Sequence, residues 1–390
     1  MKLRNLINKA AIRILTPFCR SVCEPDKILI IIFSGRFYNG NLKSLYEEFK
    51  RRQTFNGKPF KVYWAIRRKK DLNGFRREKV DVLWYYSLFQ IPKFLKAGVW
   101  LNDHQAAKNI PVARQPGSLW VQAGHAISFR GYAGDDGVRQ GLEKFDLNLV
   151  SSPWFRDYYV KGVGINPEKV AATGYPRTDR LLKPYYNRER VVGELGFRPD
   201  RPIIMYAPTW EQENRGGESL FPFGDDRKLL KELEEFLEKN RMQTLIRLPQ
   251  KWKGWVPKPN LARRRFGRQG RLALHCARTE WDAEKYLSVT DVLVTDWSSI
   301  ANDFLVLDRP IIFLDKPPKF FHYGYAILPE ERPGTVVKTS QEFFNALIEA
   351  VSDPKEYAEK RRILREKVHC ELDGQASSRA IAEMEKKFKG

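Results

Sequence analysis

The sequence predicts an α/β protein built from two parallel-sheet domains, and three observations carry that prediction. At 390 residues the chain is too long for one ordinary hydrophobic core. Short apolar or β-branched runs alternate with polar or amphipathic stretches, the rhythm of βαβ units. A charged stretch poor in apolar residues, KPYYNRERVVGELGFRPDRP at 183–202, divides the strand candidates into two similar series.

The first series runs ILIIIF at 28, KVYWAI at 61, VDVLWYY at 80, AGVWLN at 97, SLWVQ at 118 and FDLNLV at 145. The second runs IIMYA at 203, QTLIRL at 243, LALHC at 272, DVLVT at 291, PIIFL at 310 and TVVK at 335. Near-continuous apolar strands of this kind are covered on both faces, as in parallel sheets. The expected division is an amphipathic helix over 1–20, an N-terminal Rossmann-like domain over 21–184, a C-terminal Rossmann-like domain over 185–372 and a closing helix over 373–390. The two Rossmann-like halves are expected to face a cleft.

Composition narrows the class. With 42% hydrophobic and 30% charged residues the chain can bury a core, but 69 Lys and Arg against 47 Asp and Glu leave it at +22. Such a charge seeks polyanions or an anionic membrane surface. Cys19, Cys23, Cys276 and Cys370 show no metal-ligand spacing beyond one Cys-x3-Cys and make no disulfide framework, which fits a reducing cytoplasm. No apolar run approaches the roughly 20 residues of a spanning helix.

The opening MKLRNLINKAAIRILTPFCR is a poor signal peptide, because Lys9 and Arg13 interrupt its apolar centre and no small-residue cleavage site follows. As a helix it places Leu3, Leu6, Ile7, Ala10, Ile14 and Phe18 on one stripe, flanked by Lys2, Arg4, Lys9, Arg13 and Arg20. This pattern suits a helix lying among lipid headgroups, and equally one packed on the protein's own core. Trp252, Trp255 and the run RRRFGRQGR, with Arg263, Arg264 and Arg265, form a second candidate membrane surface; a solvated basic loop has the same composition.

Open parallel sheets bind ligands beyond the carboxyl ends of their strands, so the residues directly after strands are the informative ones. SLWVQ is followed by AGHAISFRG, the strand near VAAT by GYPRTDRLL, IIMYA by PTWEQEN and DVLVT by DWSS. In the first, His125 has room in a Gly-flanked loop to act as a general base. Arg177 and Asp179 in the second could serve as phosphate clamp and orienting carboxylate, or form an ordinary ion pair. Thr209 and Trp210 open the third. In the last, Ser298 and Ser299 stand at the start of the helical repeat IANDFLVL, either capping it or joining its free amides in holding an anion. No GxGxxG at a strand-to-helix turn, no GxxxxGK[ST] and no Asp-x-Asp or His cluster occurs, which disfavours dinucleotide redox chemistry, a P-loop nucleotidase and an obvious metal site. A nucleic-acid-binding protein would explain the charge but not these post-strand clusters, and none of its usual motifs is present.

Taken together, GYPRTD, YAPTWEQ, DVLVTDWSSIANDFLVLDRPIIF, PGTVVKTSQEF and LDGQASSRA resemble the CDP-glycerol glycerophosphotransferases, the primases and polymerases of teichoic acid synthesis. SLWVQAGHAISFRG is similar to that family's histidine segment, and the order and spacing agree from about residue 28 to 382. The resemblance implies a GT-B type fold and a donor, CDP-glycerol, held mainly by the C-terminal domain. It implies an acceptor that is an undecaprenyl-diphosphate-linked disaccharide or growing polymer, a peripheral position on the cytoplasmic face of the membrane, no cofactor or metal, and no nucleic-acid partner. Carried across, His125 becomes the base and Thr209, Ser298 and Ser299 phosphate ligands; the positive potential that phosphoryl transfer needs would come from Arg177 and Arg247, and Asp296, whose carboxylate repels phosphate, would orient the turn.

The chain's length favours the primase within this family; a CDP-ribitol transferase, a polymerase and a nucleotide-sugar glycosyltransferase are the alternatives. Two departures qualify the resemblance. Where the family has a second histidine in an Arg-x-His-Pro-like stretch, this chain reads LIRLPQKWKGW, keeping Arg247 and offering Lys251 as the nearest substitute donor. Gly124 stands where an aromatic is common, with Ser128 and Arg130 in the stretch where a Lys is expected.

Overall fold

A computed structural model describes residues 28–33, 38–103, 114–209, 219–248, 265–266, 271–276, 282–318 and 321–389. They form two units. The first holds the residues up to His125, Tyr132–Asp179 and those from His369 onward; the second holds Ala126–Gly131 and Arg180–Val368.

The first unit contains β1 (Ile28–Phe33), β2 (Thr54–Phe55), β3 (Lys58–Ile66), β4 (Val82–Trp84), β5 (Val99–Asn102), β6 (Leu119–Gln122), β7 (Leu147–Val150) and β8 (Val170–Ala172). Their order is β2-β3-β1-β5-β6-β7-β8, with β4 also on β3. All pairs are parallel except the β2–β3 hairpin. Asn56 and Gly57 at its turn both have positive φ (50° and 71°), as a two-residue hairpin matching the strand twist requires. Every residue of β1 is buried, as its unbroken apolar sequence demands.

The second unit contains β9 (Ile203–Tyr206), β10 (Gln243–Leu248), β11 (Arg265–Phe266), β12 (Leu272–Cys276), β13 (Val292–Thr295), β14 (Ile311–Leu314) and β15 (Thr335–Val337). Their order is β11-β12-β10-β9-β13-β14-β15, parallel except at β11–β12. Helix Asp226–Lys239, capped by the Asp225 carboxylate, buries Leu229, Leu230, Leu233 and Leu237 against this sheet. From β9 the chain builds outward through β10 and β12, then returns to the other side of β9 with β13. The order of winding therefore reverses between β9 and β13, the place where open α/β sheets bind ligands.

The units part at Asp179 and Arg180, earlier than the 184/185 boundary expected from composition. The Asp179 carboxylate accepts bonds from the Ala376 and Ser377 amides (3.0 and 2.8 Å), capping helix Ala376–Lys387 within the first unit. Arg180, 3% exposed, is bonded by Nη1 to both Asp282 oxygens (3.0 and 2.9 Å) and lies 3.4 Å from Glu284 within the second. Instead of forming a separate segment, the closing helix packs into the first unit, where Ser378 Oγ bonds Glu48 at 2.9 Å and Phe388 meets Phe55. Residues 1–20 and the Trp-rich stretch from Lys251 to Arg264 lie outside the described residues, as does the side chain of Arg265. Among the described residues no helix is long and apolar enough to cross a membrane.

Candidate active site

The reversal point of the second sheet gathers four of the candidate residues on adjacent strand ends. Thr209 follows β9, and Asp296, Ser298 and Ser299 follow β13. Thr295 Oγ1 donates to the Ala207 carbonyl at 2.6 Å, and Ala207 N donates to the Val294 carbonyl at 2.9 Å, so the two strand ends move as one. The buried Asp296 carboxylate then accepts from the Thr209 amide (2.9 and 3.1 Å) and from its hydroxyl. Burial pushes the Asp296 carboxyl above its ordinary 3.8, against the pull of the Lys316 ammonium at 3.9 Å and the Thr209 donors. Asp296 thus fixes the backbone at Thr209, and the Thr209 hydroxyl is directed at it; Trp210 lies outside the described residues.

Ser298 and Ser299 are half-buried at the start of the short helix Ile300–Phe304. The backbone turn is closed by the Ser298 and Ser299 carbonyls, which accept from Ala301 N and Asn302 N at 3.1 Å each. Ser299 makes no side-chain capping bond, and neither hydroxyl has a partner among the described residues. Of the two sequence readings, the side-chain cap is therefore absent.

Trp297, between the aspartate and the serines, is anchored by an Nε1 bond to the Lys316 carbonyl (2.7 Å), and its ring carries the Arg332 guanidinium at 4.3 Å. Phe129 packs edge-on against Trp297, and Asn302 Nδ2 bonds the Ile127 carbonyl at 2.8 Å. The segment that directly follows His125 is thereby built into the second unit's serine turn. Arg247 is half-buried near the carboxyl end of β10, the strand beside β9.

In the first unit, His125 is exposed at the end of the loop after β6. Its backbone is held tightly. Asn41, 3% exposed, donates from Nδ2 to the Ala123 and Gly124 carbonyls (2.8 and 3.0 Å) and accepts from Arg177 N at 3.2 Å. Arg177, also buried, donates from Nη1 to the His125 carbonyl at 2.9 Å. Gly124 N donates to Gln122 Oε1 at 2.8 Å. Three successive carbonyls are thus fixed while the imidazole stays accessible. The glycine at 124 is required: its φ is +76°, and a Cβ there would lie 2.2 Å from the Tyr175 ring.

The structure therefore brings Arg177 to the base candidate's backbone and Asp179 to a helix cap, while Thr209, Asp296, Ser298 and Ser299 meet at one turn. Asn41, Asn302 and Arg332 went unnoticed in the sequence. A post-strand Asn at a helix start reads as a local cap, and nothing nearby announces that its partners lie 82, 83 and 136 positions away.

A family model for CDP-Glycerol:Poly(glycerophosphate) glycerophosphotransferase matches residues 14–386. The chain belongs to this family. Among the relatives of this glycerophosphotransferase, the teichoic acid glycerol-phosphate transferase of Staphylococcus aureus (strain NCTC 8325 / PS 47) is 24% identical over 383 residues, spanning 91% of this chain and 92% of that protein. The teichoic acid poly(glycerol phosphate) polymerase of Bacillus spizizenii (strain ATCC 23059 / NRRL B-14472 / W23) is 26% identical over 370 residues, spanning 87% and 86%. A solved structure of the wall teichoic acid polymerase TagF, soaked with CDPG, is 18% identical, with a TM-score of 0.77 over 100% of this chain and 97% of that one. That likeness shows the GT-B type fold. The glycerophosphotransferase is thus an enzyme of a teichoic acid class, and the serine turn, whose two hydroxyls have no partner among the described residues, is where its own structure offers donors to an anion.

Proposed function

We propose that this glycerophosphotransferase moves glycerol phosphate from CDP-glycerol to a hydroxyl of a lipid-linked saccharide, releasing CMP. The observation that carries the reading is the DWSS turn at the reversal point of the second sheet, whose serine hydroxyls serve no cap. The donor's pyrophosphate would accept from Ser298 and Ser299, with Arg247 close to the same strand ends supplying charge; Thr209, expected from the sequence to hold phosphate, gives its amide and hydroxyl to Asp296 and serves to fix the loop instead. The acceptor oxygen attacks the β-phosphorus in line. One P–O bond forms to the acceptor, the bond to CMP breaks, and the acceptor's proton passes to His125. Arg177 acts through the backbone of His125, a role its buried bond to that carbonyl supports better than contact with phosphate. The negative charge that builds on the leaving phosphate is met by the turn's fixed dipoles, and no metal is assigned a step.

Within this reading the chain adds a single unit, as a primase does, at the cytoplasmic membrane face. A polymerase reading has an observation of its own, the 26% identity to a poly(glycerol phosphate) polymerase over 86% of that protein's length. The test is incubation of the full chain with CDP-glycerol and a short-chain, soluble analogue of the lipid-linked disaccharide, followed by CMP release and product mass. CMP with one added glycerol phosphate, lost in His125→Ala, is the expected result. A ladder of masses assigns the polymerase, a ribitol increment from CDP-ribitol assigns that donor, and no CMP from either donor overturns the reaction.

A further inference from the structure

Lys316 carried no expectation from the sequence, yet the fold brings it to the DWSS turn. It lies just beyond β14, the strand beside β13, and Thr295 and Phe313 are register partners, so the residues that follow the two strands are neighbours. Its backbone is fixed on every side. The Lys316 amide donates to the Leu314 carbonyl at 2.9 Å, and Asp315 N donates to the Val337 carbonyl at 2.9 Å. The Lys316 carbonyl accepts from Trp297 Nε1 at 2.7 Å, which ties it to the middle of the turn. Pro317 and Pro318 follow, and a residue before proline has little freedom of its own.

The side chain is 13% exposed, and its ammonium lies 3.9 Å from Asp296 Oδ2. That separation is a contact of charges and not a hydrogen bond. The Asp296 oxygens are occupied instead by the Thr209 amide and hydroxyl. Among the described residues the Lys316 ammonium therefore meets no hydrogen-bond acceptor. An ammonium has three donors, and one drawn this far out of water needs oxygens to receive them. A lysine that served only to neutralise Asp296 would close to a charged hydrogen bond of about 2.8 Å. Asp296 poses the converse problem, because the carboxylate that fixes Thr209 repels any phosphate brought to the serines. Lys251, the substitute cation expected from the sequence, lies outside the described residues, whereas Lys316 is held at the turn.

We propose that Lys316 is a further ligand of the donor's diphosphate. Its ammonium donates to a non-bridging phosphate oxygen and at the same time offsets the charge of Asp296. The inference rests on the donor reading above and adds a binding residue to it.

The test is isothermal titration of CDP and of inorganic pyrophosphate into the full chain. Lys316→Met is expected to weaken both about tenfold or more, the worth of a hydrogen bond between charged groups. Lys316→Gln, which removes the charge but keeps a polar tip, should do the same and replaces Lys316→Met if that variant unfolds. Lys316→Arg should recover most of the affinity. Wild-type affinity for both ligands in Lys316→Met or Lys316→Gln overturns the proposal. A double-mutant cycle with Asp296→Asn separates direct contact from action through the aspartate. Direct contact predicts that removing the ammonium still weakens pyrophosphate severalfold in the Asp296→Asn protein; no further loss there makes Lys316 a neutraliser of Asp296 alone, and the proposal falls. A wild type that binds pyrophosphate but not CDP refutes the cytidine donor while pyrophosphate still decides Lys316, and one that binds neither overturns both.

Discussion

Replacing Asn41 by Asp keeps the side chain's shape and its acceptor for Arg177 N but puts a carboxylate oxygen 2.8 Å and 3.0 Å from the Ala123 and Gly124 carbonyls. Two neutral hydrogen bonds are lost, at about 1 kcal/mol each, so roughly 2 kcal/mol of the energy holding the His125 loop disappears. If that energy is expressed in the transition state, kcat falls about 30-fold with donor KM unchanged. The pH dependence is more telling than the size. A carboxyl this buried, facing two carbonyl oxygens, has its pKa raised, and in its protonated form it can again donate to one of them. The ratio of variant to wild-type activity should therefore fall as pH rises, on top of the rise that both show as the His125 base, retained in the variant, becomes neutral. The assay is CMP release across pH with the soluble acceptor, alongside thermal unfolding. Arg177→Lys, which removes the bond to the His125 carbonyl, should likewise lower kcat and spare donor KM. A fall in unfolding temperature with kcat within about twofold of wild type at every pH would refute the reasoning and leave Asn41 a purely structural residue.

Ser298→Ala and Ser299→Ala should each raise donor KM about tenfold, the worth of one bond to a charged group, with the urea midpoint unchanged because no cap is lost. A drop in stability near the ~1 kcal/mol of a lost N-cap, with KM constant, would return the serines to a structural role. Arg180→Ala strands Asp282 and Glu284 in a buried setting and should cost about 3–5 kcal/mol in urea unfolding; a loss below about 1 kcal/mol would contradict the buried ion cluster. Asp296 has a folded-state pKa above 3.8, so its contribution to stability is full below that value and is lost as pH rises through the raised one. In Asp296→Asn this fall should vanish, and identical stability profiles of variant and wild type across that window would show that the carboxyl is not perturbed.

How far the sequence could be read depended on the range of the interactions involved. Strands were visible because burial on both faces leaves runs such as ILIIIF and DVLVT with no polar alternation to confuse them. The polar clusters at their carboxyl ends were visible for the same reason, and the GT-B type fold that the family resemblance implied is the one found. What stayed hidden depends on partners far along the chain. Asp179 looks like half of a local ion pair with Arg177 or Arg180, yet it caps a helix that starts 197 positions later. Gly124 looked like a departure from a family pattern until the Tyr175 ring was seen to occupy the space a side chain would need. Phe89, 96% exposed, sits in the apolar run LFQIPKFL, where spacing alone cannot tell a core residue from one pointing away from the core.

The routing of the backbone has a consequence for biosynthesis. The first unit is completed by residues from His369 onward, and helix Ala376–Lys387 is bonded to Asp179 and to Glu48 inside it. During vectorial synthesis this unit waits, missing one of its helices and with the Asp179 carboxylate unanswered, until nearly 200 further residues have been polymerised. The second unit lacks only chain already made, since Ala126–Gly131 precedes it. The part of the polypeptide made first is therefore the part that finishes last. Its long-range closure predicts a slow folding phase, and a nascent chain arrested near residue 368 would expose the apolar surface that Ala380, Ile381 and Met384 later cover.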